Sequence, residues 1–146
     1  MSMNTARKKP LPHVGVFTRI RPSRVCKGGV GVFAIRSIKK GTCIFPDDTD
    51  RVRRIKGESL RDLPDELRRL YEDFAVIKPD YYLCPASFNR LTVSWYLNEP
   101  IKGGRPNVRC DKSYDFFAIR EIKAGEELTV LYPMYSDPSR WKPKGL

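Results

Sequence analysis

The side chains that could do chemistry in this chain are few, and their spacing excludes more than it permits. The four cysteines, Cys26, Cys43, Cys84 and Cys110, are isolated, and a single histidine, His13, completes no zinc set, so no metal site is expected. Isolated cysteines fit a reduced, intracellular setting. One histidine in a segment read as disordered argues against a Ser-His-Asp triad. The glycines of KGGVG (Gly28, Gly29, Gly31) do not fit Gly-x-Gly-x-x-Gly before a helix, and no phosphate-binding Gly-Lys-Ser/Thr loop occurs. Glycine packed this densely between apolar segments marks a tight turn or backbone that something approaches closely, and the two can coexist. Tyr132 closes the last apolar run; by type it is either a core tyrosine with its hydroxyl at the surface or a weak hydrogen-bonding group in a site.

A repeated phrase supplies the framework that must position these residues. FAIRSIKKGTCI begins at Phe33 and FAIREIKAGEEL at Phe117. Each alternates apolar residues, turns at a Lys-x-Gly corner and resumes an apolar run, which predicts a β-hairpin with glycine at positive φ, built twice. Two copies do not make a solenoid. They predict one compact, mostly β domain with pseudo-symmetric halves, and 146 residues can bury roughly 70% of their unfolded surface in a single core. Between the copies, DDTDRVRRIKGES reads as an exposed connection. Leu63, Leu67, Leu70, Tyr71 and Phe74 then predict a short helix over about 64–75, with Asp62 as N-cap and Pro64 in the first turn. The stretch YYLCPASFNRLTVSWYLN reads as strand with turns, and EPIKGGRPN as a loop.

The formal charge of +11 admits nucleic acid, anionic lipid or acidic protein as partners. The charges are spread along the chain, no run exceeding Arg7-Lys8-Lys9, which fits a generally basic, solvated surface better than a nucleic-acid footprint. No stretch approaches the ~20 apolar residues of a membrane span and no signal-peptide core is present, so a soluble, intracellular protein is expected, cytoplasmic first, with a nuclear or host-delivered location left open.

Three local patterns, in a fixed order, resemble one known family. GGVGVFAIRSIKKGTCI, from Gly28, resembles the opening Gly-x-Gly strand pair of SET domains; LNEPIKGGRPN, from Leu97, resembles their Asn-His-Ser…Pro-Asn loop; FAIREIKAGEELTVLY, ending at Tyr132, resembles their closing Glu-Leu-Thr-x-x-Tyr segment. The resemblance runs from about Val14 to Tyr132. It implies a β-clip-like SET fold with knot-like threading of the closing segment, a basic arm at 1–13, a domain at 14–132 with an insert at about 51–90, and a tail at 133–146 that closes the site.

It further implies a protein-lysine methyltransferase using S-adenosylmethionine. Gly29, Val30, Gly31 and Val32 would bring bare backbone to the cofactor, Asn98 would hold its amino-acid end, and Glu99 would lie beside the adenine. Tyr132 matches the catalytic tyrosine, and Val130, Tyr135 and Tyr96 would line the substrate channel. Val130 stands where members often carry Phe or Tyr, which would leave room for added methyls. Glu99 replaces the usual histidine, tolerable if that position acts through its backbone. The cysteine-rich zinc segments that flank many members are absent, so Tyr135 and Trp141 are candidates for a lid; Trp141 either stacks on the adenine or is incidental to the tail. Two other readings accompany the enzyme: an inactive SET-like module that binds peptide or cofactor, and a small basic nucleic-acid-binding β-domain. Pairing with a second copy is a further way to complete the site.

Overall fold

The structure, a computed structural model, describes residues 13–48 and 52–140. Its frame is the repeated phrase, paired differently from the expectation. Neither copy folds into a hairpin on itself. Strand β1 (Thr18–Pro22) runs antiparallel to β2 (Val30–Ala34), and β2 pairs on its other edge with β8 (Glu127–Leu128), which belongs to the second copy. In reciprocal fashion β7 (Phe116–Ala118), the start of the second copy, pairs with β6 (Val108–Cys110) and bridges Cys43 at the end of the first.

The exchange is symmetric bond for bond. The Ala34 N–H donates to Glu126 O at 2.9 Å and Gly125 N–H to Ala34 O at 2.8 Å; the equivalent pair is Ala118 N–H to Thr42 O at 3.0 Å and Gly41 N–H to Ala118 O at 2.8 Å. At the centre, Ile38 and Ile122 exchange both backbone bonds at 2.8 Å and are wholly buried. The Lys-x-Gly corners turn as read from sequence, with φ of +85° at Gly41 and +90° at Gly125. Crossing between copies lets the two isoleucines pack on each other, with Val32, Ala34, Ile44, Leu97, Val108, Ala118, Leu128 and Val130 around them. An isolated hairpin is marginal in water, whereas this arrangement buries Ala34, Ile38 and Ile44 of the first copy against Ala118, Ile122 and Leu128 of the second.

The intervening segment carries its own small sheet, in order β3-β5-β4, from Val52–Ile55, Tyr82–Pro85 and Val76–Ile77. The stretch read as an exposed connection thus contains β3 and a 3-10 turn ending on buried Leu60; Arg53 and Arg54 in VRRI disguised the strand. Helix α1 (Asp65–Phe74) forms where expected, but Pro64, not Asp62, is its N-cap. Its inward position is taken by Arg68, 7% exposed and paired with Asp65, while Leu67 is 39% exposed. After β5 the chain makes two 3-10 turns, Phe88–Arg90 and Val93–Tyr96, instead of further strand.

The closing segment lies between the two ends of the 99–107 loop. The Val130 N–H donates to Asn98 O and the Val108 N–H to Thr129 O, each at 3.0 Å, and parallel bridges join Asn98 to Thr129 and Val108 to Val130. The Asn107 side chain accepts from Thr129 N–H at 2.8 Å and donates to Glu127 O at 2.9 Å. Beyond the closing segment the chain folds back onto β4, where Ser136 Oγ accepts from Ile77 N–H and Asp137 N–H donates to Ile77 O, both at 2.9 Å. Among the described residues no helix is long and apolar enough to cross a membrane.

If the reciprocal pairing is the frame, Ile38→Ala and Ile122→Ala each lower unfolding free energy by about 2–5 kcal/mol, and the double variant departs from additivity by at least about 0.5 kcal/mol. Urea denaturation checks this; two small, additive losses would place the frame elsewhere.

Candidate functional site

The turn between β1 and β2 is shaped by one hydroxyl and one glycine. Ser23 Oγ accepts the N–H groups of Val25 at 3.1 Å and Cys26 at 2.9 Å, and Gly28, at φ +80°, reverses the chain. The same hydroxyl donates to Glu127 Oε2 at 2.6 Å, while the Arg24 N–H donates to Glu127 Oε1 at 2.7 Å. Asn98 Nδ2 donates to Val30 O at 2.8 Å and lies 3.2 Å from Ser23 Oγ and 3.3 Å from Glu127 Oε2. At Gly31 a Cβ would meet the Glu127 carboxylate and stand 3.2 Å from Asn98 Nδ2, so any larger residue would have to push the glutamate out of its bonds to Ser23 and Arg24. The close approach expected at the glycines is therefore made, at Gly31, by two polar side chains from distant segments.

Asn98 leads directly to Tyr132. The Tyr132 hydroxyl donates to Leu97 O at 2.8 Å, and its backbone N–H donates to Glu99 Oε2 at 3.1 Å. The glutamate found in place of a histidine thus clamps the backbone of the tyrosine. Burial, then the negative charge of Glu99, then Cys26 push the Tyr132 hydroxyl up to about 12, so at neutral pH it stays protonated. Burial and the neighbouring Tyr132 push Tyr135 upward as well. The rings form an edge-to-face series, with centroids 6.2 Å apart for Tyr132–Tyr135, 5.7 Å for Tyr135–Phe116 and 6.1 Å for Phe116–Phe45.

Tyr132, Tyr135 and Phe116 wall a cleft of about 460 Å3 that runs between the end of α1, the turn at 93–96 and the tip of the β6–β7 hairpin. Five carboxylates line it, from Asp48, Glu72, Asp73, Glu99 and Asp115, and no lysine or arginine does so among the described residues. On a chain of formal charge +11 this is a reversal of sign. The hairpin tip is pinned by Asp111, whose carboxylate accepts the N–H groups of Ser113 and Asp115 at 2.9 Å each. Its Tyr114, at φ +65°, is held in the left-handed region that costs a bulky residue roughly 1–2 kcal/mol, and it lines the cleft.

Of the residues singled out from sequence, Gly29, Gly31, Asn98, Glu99, Tyr132 and Tyr135 fall in this connected region. Val30 is exposed beside Asn98, and Val32 is buried in the main core. Val130 is wholly buried in that core and is not among the cleft residues; Tyr96 packs edge-on against Phe74 of α1 at 5.6 Å, and its neighbour Trp95 lines the cleft. Trp141 lies outside the described residues. Sequence reading missed Ser23, Glu127, Trp95, Tyr114 and Phe116. One signal was available for Glu127: the two phrases diverge at that place, Cys43 in GTCI against Glu127 in GEEL.

Two crossed β phrases, a glycine turn held by an asparagine, and a half-buried tyrosine at the wall of a cleft define a class of small β-rich domain with one composite site. The chain belongs to the SET-domain family, whose model matches residues 29–133. In structure it is similar to the methyltransferase domain of human PR domain-containing protein 2, at a TM-score of 0.55 and 22% identity over 83% of this chain and 78% of that one. It is also similar to a Plasmodium falciparum protein assigned as a candidate histone methyltransferase, at a TM-score of 0.51 and 21% identity over 79% of this chain and 91% of that one. A humanized mutant of the Chaetomium thermophilum Polycomb Repressive Complex 2, bound to the inhibitor GSK126, matches at a TM-score of 0.55 and 20% identity over 86% of this chain and 16% of that one. No curated protein matches in sequence.

The Tyr132 environment makes a pH prediction. A hydroxyl raised from 10 to about 12 adds stability that is complete below pH 10 and is lost as pH climbs toward 12. Alkaline difference spectra should show a late tyrosine that is missing in Tyr132→Phe and titrates earlier in Glu99→Gln, which removes the charge that raises it. An unchanged titration in Glu99→Gln would detach Glu99 from Tyr132.

Proposed function

We propose that this protein transfers methyl groups from S-adenosylmethionine to a lysine side chain of a protein substrate. The observation that carries the reading is the continuity of Asn98 and Tyr132: the segment 97–99 holds the glycine turn on one side and, through Leu97 and Glu99, fixes a protonated tyrosine at the wall of an acidic aromatic cleft on the other. The donor set suits the cofactor. The space over Gly31 is taken by the Glu127 carboxylate and the Asn98 amide, and those two groups suit the ammonium of an amino-acid end. When bound, the cofactor supplies an electrophilic sulfonium methyl.

The chain's own residues must then orient an amine, exclude water and accept a lysine that has lost its proton. A free lysine has a pKa of about 10.4, so it enters as an ammonium, which the cleft carboxylates attract. Tyr132, protonated and donating to Leu97 O, cannot serve as a base at neutral pH; its remaining lone pair orients the amine and the polarised methyl hydrogens. Proton loss to water, favoured in a dry site beside a positive sulfonium, is enough. Rates should therefore rise with pH as the substrate lysine deprotonates. The domain runs over 14–132 with an insert at about 51–90, and the reading of the tail from 133 as closing the cleft is supported by the bonds of Ser136 and Asp137 to Ile77 and by Tyr135 and Ser136 in the cleft lining. The insert brings Glu72, Asp73 and Phe74 to the cleft.

Calorimetric titration with S-adenosylmethionine and S-adenosylhomocysteine is expected to show one saturable site, weakened at least about tenfold in Asn98→Ala, the loss of a strong polar contact. Tyr132→Phe should keep that binding and lose turnover by about 100-fold or more on a lysine substrate. A folded sample without binding would leave only the fold in common with the methyltransferases.

A further inference from the structure

Carboxylates attract any cation alike, so it is the rings of the cleft that can tell one lysine from another. Tyr132, Tyr135 and Phe116 each stand nearly perpendicular to the next, at 82° and 87°, so their faces turn a corner instead of stacking flat. Trp95 on the 93–96 turn and Tyr114 on the hairpin tip add rings from two other elements that bound the cleft. Rings at right angles, with carboxylates beside them, are the surroundings that hold an alkylated ammonium, by cation–π attraction and apolar contact. Tyr114 is kept at a cost: φ is +65°, where glycine would fit without strain. Lys78, which lines a neighbouring cavity of about 370 Å3 and not the cleft, has its Nζ 5.2 Å from the Tyr114 ring centroid, so the chain already uses this ring to receive a lysine ammonium.

The acceptors beside Tyr132 are committed elsewhere. Leu97 O takes the tyrosine hydroxyl, Glu99 Oε2 takes its N–H, and Asp48 receives the Thr92 and Ser94 hydroxyls. An unmodified lysine would bring three N–H donors out of water, and each methyl group replaces one of them with apolar surface that rings can cover. Methylation keeps the positive charge, so the pull of the carboxylates is retained. Val130, read from sequence as the position that sets room for methyl groups, is wholly buried in the core and lines none of the cleft, which leaves that choice to the rings.

We propose that the cleft selects a substrate lysine that already carries one or two methyl groups, and that Trp95 and Tyr114 are the residues that make the selection. The inference rests on the methyl-transfer reading above and places this protein second in a reaction sequence: a separate N-methylation of the same lysine supplies its substrate. The methylated ammonium first gives its proton to water. Its Nζ lone pair then forms a bond to the sulfonium methyl carbon as the carbon–sulfur bond breaks, with that electron pair going to sulfur and S-adenosylhomocysteine leaving. Trimethyllysine has no proton to lose, so the cleft binds it without turnover.

The test measures binding and turnover separately. Nα-acetyl-lysine amide and its Nε-mono-, di- and trimethyl forms are titrated into the full-length protein without cofactor, together with the neutral carbon isostere of the trimethyl form, and backbone amide shifts at 93–99 and 114–116 are followed by NMR. The dimethyl form should bind at least about fivefold more tightly than unmodified lysine, and the neutral isostere at least about fivefold more weakly than the trimethyl form. Tyr114→Gly suits the +65° backbone, so thermal unfolding should stay within about 5 °C of the parent while the dimethyl preference falls at least about threefold; Trp95→Ala should lower it likewise. For turnover, peptide pools with degenerate flanks around a central lysine, monomethyllysine or dimethyllysine are incubated with labelled S-adenosylmethionine. The methylated pools should show kcat/KM at least about fivefold above the unmodified pool, a gain lost in Tyr114→Gly. Equal affinity for lysine and its methylated forms overturns the proposal, as do a preference unchanged in both variants and faster labelling of the unmodified pool. Selective binding in a protein that titrates no S-adenosylmethionine upholds the selection and removes the methyl-transfer reading on which the reaction sequence rests.

Discussion

The reciprocal bond pair between Ile38 and Ile122 is the constraint from which the rest of the structure follows. Because each copy of the phrase lends its first strand to the other's end, β2 is forced alongside β8, with Phe33 opposite Glu127. That register lays the Glu127 side chain over Gly31. The next residues, Thr129 and Val130, then bond to Asn98 and Val108 at the two ends of the loop between them. Asn98, Glu127, Gly31 and Tyr132 converge because two buried isoleucines share one ladder, and none of the four would find the others in a pair of separate hairpins.

Electrostatics divide the molecule a second way. Lysine and arginine are spread along the chain and none among the described residues lines the cleft, whereas five of the seventeen acids do. Several of these acids also hold structure. Asp48 receives two hydroxyls, and Glu99 receives the Tyr132 backbone, so the same groups that set the sign of the cleft also fix its walls. Glu99 is the clearest case. A carboxylate that looked from sequence like a departure from a family pattern holds the tyrosine backbone in place and adds to the effect of burial in raising its hydroxyl. The left-handed Tyr114 at the opposite rim is a cost that the Asp111 turn sustains, and it puts a ring where glycine would leave the cleft open.

Local chemistry made part of this legible in advance. Gly41 and Gly125 turn at positive φ because only glycine does so without strain, and that needs no knowledge of partners. Helix α1 was legible from its apolar spacing, although Arg68 rather than Leu67 is buried: the arginine reaches the exposed Asp65 carboxylate and the Leu63 carbonyl, while leucine was left near solvent. Strand β3 was hidden because Arg53 and Arg54 make VRRI look like a polar loop; only its pairing with β5 shows it to be a strand.

The sequence by itself therefore determined the repeated phrase, its glycine corners, the helix and the family to which Gly29, Asn98 and Tyr132 point, since each is written in residue types a few positions apart. Tertiary structure alone decided which copy pairs with which, that Glu127 and Ser23 meet Asn98, that Val130 lies in the core, and that five acids share one cleft. The reason is range: Ser23 and Glu127 are 104 residues apart and Ser23 and Asn98 are 75 apart, and a serine or glutamate carries no local mark of its distant partner.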